Sequence, residues 1–100
     1  MVRLSEPSLI RQRQRVYSSR RSVTQPLVVV NLKTYETAHG ASAEALARAI
    51  SSVDTGARMV VAVSAFDLSS VVAAAPDLEV WCQHLDPVGF GSFTGWLHPA

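Results

Sequence analysis

Three short strand-like runs, the first two apolar and β-branched, recur along this chain with helix-periodic sequence between them. That alternation limits the fold more than any other feature. The runs are Leu27 to Val30, Met59 to Val63 and Leu78 to Cys82. In the first, four consecutive aliphatic residues leave no polar face, the pattern of a strand buried on both sides. Between the first two runs lies ASAEALARAISSV, which sets Ala43, Leu46, Ile50 and Val53 on one helical stripe. Asp54-Thr55-Gly56 follows as a stop, with Gly56 suited to a left-handed C-terminal cap. After the second run, Ser64 stands three residues before Asp67 in the manner of a capping box. Leu68, Val71, Val72 and Ala75 then share a helical face, and Pro76 closes the element.

Strand, helix, strand, helix, strand requires parallel pairing through right-handed crossovers. The fold class is α/β, with strands near 27–31, 59–63 and 79–82 and helices near 42–54 and 66–75. The expected strand order is first, second, third. A third strand on the far side of the first would instead mark a Rossmann-type sheet. Against that reading, no G-x-G-x-x-G follows the first strand. Parallel strands need cover on both faces, and two helices cannot cover three strands on both sides. The body is therefore half of an open sheet or the opening of a closed barrel. Either architecture puts chemistry at the C-terminal ends of the strands, where Asn31, Lys33, Ser64, Gln83 and His84 fall. Asn31 and Lys33, two apart, would share one face of a continuing strand.

The sequence LDPVGFGSFTGWLHPA after the third strand has no periodicity, yet it holds Phe90, Phe93 and Trp96 within seven residues. Long structureless segments are uncommon in compact domains and tend to be functional or disordered. Three rings with no partner in the chain argue for packing against something.

Charge divides the chain in two. Residues 1–25 carry six arginines against Glu6, a net of +5, and residues 26–100 carry a net of −4. The first part reads as a basic, disordered leader, as a transit-type peptide, or as translation from a start upstream of the true one. It lacks an apolar core, so it is not a secretory signal. Without aromatic interleaving it gives little support to nucleic-acid binding. No apolar run approaches the ~20 residues of a membrane span. Cys82, the only cysteine, reads as a small buried residue in a reducing compartment. No metal or cofactor pattern is present, and the expected location is the cytoplasm, or an organelle if the leader is a transit peptide.

Four pieces of the chain, VNLKTYE, VVAVSAFDL, WCQHLDPV and GSFTG, come in an order that resembles the triosephosphate isomerase family, most closely its archaeal-type branch. The resemblance covers residues 26–100 and the N-terminal third of the family's length. It implies the opening βαβαβ portion of a (β/α)8 barrel, truncated after its third strand and long loop. It also implies interconversion of dihydroxyacetone phosphate and glyceraldehyde 3-phosphate through an enediolate, in glycolysis and gluconeogenesis, without a cofactor. Carried over residue by residue, Lys33 matches the lysine that binds the phosphorylated substrate and stabilises charge in catalysis. Asn31 matches the asparagine that helps fix substrate and lysine. Gly91, Ser92, Thr94 and Gly95 match the loop that docks on a partner subunit, so a homo-oligomer, dimer or tetramer, is implied. His84 matches a residue beside the third strand that supports the site.

The family's histidine, in an Asn-His-Ser-Glu context, and its glutamate base have no counterpart here. An inactive fragment is therefore expected. The competing reading is a non-catalytic α/β binding module with a basic targeting or nucleic-acid-binding arm.

Overall fold

The computed structural model describes residues 2–3 and 24–100. Strands β1 (Val2–Arg3), β2 (Leu27–Asn31), β3 (Arg58–Val63) and β4 (Glu79–Cys82) form one sheet in the order β1-β4-β3-β2. The last three are parallel neighbours. β1 lies antiparallel on the outer edge of β4, with Val2 opposite Cys82 and Arg3 opposite Trp81. These two residues belong to the stretch read as a leader; the rest of that reading, residue 1 and residues 4–23, lies outside the described residues.

The expected order of the three main strands is therefore present. It excludes the arrangement in which a third strand returns beyond the first. It does not by itself exclude the common dinucleotide-binding sheet, whose first three strands are also sequential neighbours.

Helices α1 (Ala41–Ser51) and α2 (Leu68–Ala74) occupy the two crossovers, and a 3₁₀ turn at Glu36–Ala38 precedes α1. The helices contact each other, with α1 against β3 and α2 against β4. α1 is shorter than the sequence reading, and its buried stripe differs. Ala43 and Ala47 are fully buried and Ile50 half-buried, whereas Leu46 is exposed and Val53 lies beyond the helix, also exposed. Alanines suit the inner face because a small side chain lets a helix backbone approach its neighbours. The Ser52 hydroxyl donates to the Ala49 carbonyl at 2.7 Å, helping end the helix. Gly56 does adopt a left-handed φ of 70°, but in the loop beyond, where its carbonyl accepts from Gln25 Nε2. It is a turn residue and not the helix cap.

The pleat sorts the strands into two chemically different faces. Val61, Val63 and Val80 join Ala43, Ala47, Val71, Ala75 and Leu78 in the helix-covered core. The opposite face carries Asn31 from β2, Arg58, Val60 and Ala62 from β3, and Glu79 and Trp81 from β4. Arg58 grips Glu79 bidentately at 2.9 and 2.7 Å, and Trp81 Nε1 donates to the same carboxylate at 3.3 Å. This face is thus polar at both ends and apolar at Val60 and Ala62.

β2 departs from the doubly buried strand suggested by its composition. Leu27 and Val28 are 49% and 40% exposed. The reason is position: β2 is the edge of the sheet among the described residues, so its outer flank has no covering neighbour.

Candidate functional site

At the C-terminal end of the sheet the backbone of β2 stops being a strand. The Leu32 N–H still donates to the Ala62 carbonyl at 3.0 Å and its side chain is buried. Lys33 then adopts φ 56°. A residue with a Cβ in this left-handed region carries a strain of about 1 kcal/mol or more. The expectation that Asn31 and Lys33 share a strand face is therefore wrong, because strand alternation ends at Asn31. A hydrogen bond joins them instead: the Lys33 N–H donates to Asn31 Oδ1 at 2.9 Å, a side-chain turn of the kind asparagine forms readily.

Gln83, immediately after β4, reaches across β3 to this turn. Its Nε2 donates to Asn31 Oδ1 at 3.1 Å, to the Lys33 carbonyl at 3.1 Å and to the Ala62 carbonyl at 3.3 Å. Its own N–H is anchored on the Val63 carbonyl at 2.9 Å. The sequence placed Gln83 at this end of the sheet without assigning it to the site. The missed signal was an amide at the end of the third strand, opposite the asparagine that ends the first. The Lys33 side chain is solvent-exposed.

The loops beside the turn are tied by Asp67. Both carboxylate oxygens accept from the Gly40 N–H at 3.2 Å, and His39 Nδ1 lies 3.2 Å from Oδ2. The capping box read from Ser64 and Asp67 does not form. Ser64 closes a local turn, its Oγ accepting from Phe66 N–H and its carbonyl from Asp67 N–H. The aspartate is drawn instead to the amide that opens α1.

The long loop is clasped at its base. The Asp86 N–H donates to the Leu97 carbonyl at 2.9 Å, and the Leu97 N–H donates to Asp86 Oδ2 at 2.7 Å. His84 Nε2 sits 3.0 Å from Asp86 Oδ1. The Leu97 N–H, above all, and the His84 ring hold the Asp86 carboxyl below its ordinary value, against a smaller opposing effect of burial. Gly91, Ser92, Thr94 and Gly95 form the exposed tip. The rings are not partnerless, contrary to the sequence reading. Phe90 stacks on His98 with centroids 3.8 Å apart, and Phe93 tilts against Trp96 at 5.9 Å. Packing of the rings within the loop still leaves Phe90 85% and Trp96 54% exposed.

A cleft of about 400 Å³ opens between Ser64, Ala65 and Phe66 on one side and Gln83, His84 and Leu97 on the other. A neighbouring cleft of about 540 Å³ reaches Asp86, Gly95 and Trp96. Neither is lined by Asn31, Lys33 or Thr94. Among the described residues no group of His, Cys, Asp and Glu could hold a metal ion. No helix of the described residues is long and apolar enough to cross a membrane.

What the arrangement offers is a cation on a fixed turn at the C-terminal end of a parallel sheet. The family model of triosephosphate isomerase matches residues 26–100. The triosephosphate isomerase of Methanococcoides burtonii is 44% identical over 73 residues, which cover 71% of this chain and 33% of that protein. That of Methanosarcina acetivorans is 39% identical over 72 residues, covering 70% and 32%. That of Metallosphaera sedula is 33% identical over 76 residues, covering 74% and 33%. The chain spans about a third of the length of these relatives. With the parallel βαβαβ order and a match over three quarters of its residues, the chain belongs to the triosephosphate isomerase family.

Proposed function

We propose that this chain supplies the first-strand lysine of a triosephosphate isomerase, with Lys33 and Asn31 binding the triose phosphate. The observation that carries the reading is the Lys33 turn, an exposed ammonium on a backbone braced by Asn31 and Gln83. The complete enzyme interconverts dihydroxyacetone phosphate and glyceraldehyde 3-phosphate. Proton transfer between adjacent carbons passes through an enediolate, whose oxygens gain negative charge. A fixed cation at that point favours the transition state more than the neutral carbonyl, and it also neutralises the substrate phosphate.

Lys33 cannot do this alone. Moving a proton between carbons requires a positioned base, and the Asn-His-Ser-Glu context that resemblance assigns to the electrophile does not occur in these 100 residues. The chain by itself is therefore expected to be inactive. In the completed enzyme the Gly91–Gly95 loop docks on a second copy, with Thr94 beside the partner's site.

A coupled isomerase assay on the purified chain should show no turnover above background. Joined to the remaining two thirds of the Methanococcoides burtonii relative, the chain should give turnover that Lys33→Ala reduces by about 10²-fold or more. Turnover by the chain alone, abolished by Lys33→Ala, would overturn the inactive-fragment reading. A joined enzyme indifferent to Lys33→Ala would overturn the lysine's role.

A further inference from the structure

We propose that the Val2–Arg3 segment is an edge guard, holding the outer edge of β4 until a barrel strand takes it. The barrel fold of the family is all that this requires, and nothing in it depends on Lys33.

β2, β3 and β4 run parallel, and β1 alone among the described strands runs antiparallel. A closed barrel of this class has eight parallel strands, so each has two parallel neighbours. β4 has β3 on one side, and the next barrel strand belongs on the other. Among the described residues that position is held by Val2 and Arg3. An antiparallel segment cannot serve as the barrel strand, so the two compete for one edge.

The backbone fixes where they compete. The Gln83 N–H donates to the Val63 carbonyl of β3 at 2.9 Å. Successive residues of a strand direct their backbone groups to opposite sides, so Cys82 offers its N–H and carbonyl to the outer edge. Val2 is the residue opposite it. Left open, such an edge is a template for pairing with another chain. The guard's ladder spans only two residues, whereas β4 has four. A barrel strand paired along all four therefore displaces it.

The test is a register-specific cross-link. In the 100-residue chain, Val2→Cys is oxidised and the intrachain disulfide to Cys82 is read by mass spectrometry on peptides. Cα atoms of a hydrogen-bonded antiparallel pair stand about 5.5 Å apart, within disulfide reach. Arg3→Cys, one residue out of that register, should cross-link at least about tenfold more slowly, because adjacent strand positions face opposite ways. Equal rates in the two variants, or no cross-link in either, would overturn the proposal. Deleting residues 1–3 gives an arm free of cysteine chemistry. By NMR, exchange of the Cys82 amide should rise about tenfold, with the Gln83 amide within about twofold of the parent. Unchanged exchange at Cys82 would also overturn the proposal.

Displacement is tested in the chain joined to the remaining two thirds of the Methanococcoides burtonii relative. There Val2→Cys should cross-link to Cys82 about tenfold more slowly than in the 100-residue chain. An undiminished rate in a joined protein that unfolds cooperatively would show that guard and strand do not compete. If the joined protein has no cooperative transition, sedimentation velocity of the 100-residue chain decides. Deleting residues 1–3 should then raise its oligomer fraction about twofold or more, and an unchanged fraction would refute the guarding role.

Discussion

Asp67 is 6% exposed, and its carboxylate is spent on a neighbouring loop and not on its own helix. Removing it strands the Gly40 N–H in a half-buried position. Asp67→Ala should therefore lower stability by about 1–3 kcal/mol, read as a lower urea midpoint at unchanged slope. Asp67→Asn, which keeps an acceptor oxygen, should cost less. Asp86 makes a prediction with a sign. Its carboxyl is held below the ordinary value of 3.8, mainly by the Leu97 N–H. The ionised clasp thus stabilises the loop fully above that value, and the contribution fades as pH falls through the lower, folded-state value. Fluorescence of Trp96 in a Trp81→Phe variant should report loop opening only below about pH 4, and Asp86→Asn should remove that transition. The Gly40 and Leu97 amides were not legible as partners in the sequence, because these bonds join residues 11 or more apart and local spacing says nothing about which distant amide a carboxylate will meet.

At the scale of elements, periodicity located all three parallel strands and both crossover helices. It was right about Ala43 and Ile50 but passed over Ala47, which is fully buried, and counted Leu46 and Val53, which are exposed, Val53 beyond the end of α1. Hydropathy ranks residues by what burial would gain, whereas the space between α1, β3 and α2 decides what fits. Ala47→Leu should accordingly destabilise by about 1–3 kcal/mol through overpacking, measured by thermal unfolding, while Leu46→Ala should cost little. If Ala47→Leu proved neutral, the close packing of α1 would be refuted. The Lys33 turn was likewise hidden. Asn-x-Lys after an apolar run reads equally well as two more strand residues, and only Gln83, about fifty positions away, shows where the strand must end.

For the molecule as a whole, exposed rings and a strand edge unpaired among the described residues leave apolar surface in water. Phe66 is 91% exposed, Phe90 85%, and the β2 edge presents Leu27 and Val28. Sheet edges and exposed ring clusters favour association. Sedimentation velocity of the 100-residue chain should show concentration-dependent oligomers, reduced when Phe90, Phe93 and Trp96 are changed together to serine. A single monomeric species at all concentrations would remove the expectation of loop docking. The sequence by itself determined the α/β class, the number and direction of the main strands and the pairing of Asn31 with Lys33 as site candidates. Those follow from local patterns, such as β-branched runs, helical spacing and a short motif at a strand end. Only the tertiary structure decided that Lys33 is left-handed, that Gln83 braces it and that Asp67 ties two loops together. It also decided that the loop rings pair with one another while staying exposed. These depend on contacts between residues far apart in the chain, where the geometry of the sheet, and not sequence spacing, sets which groups come within reach.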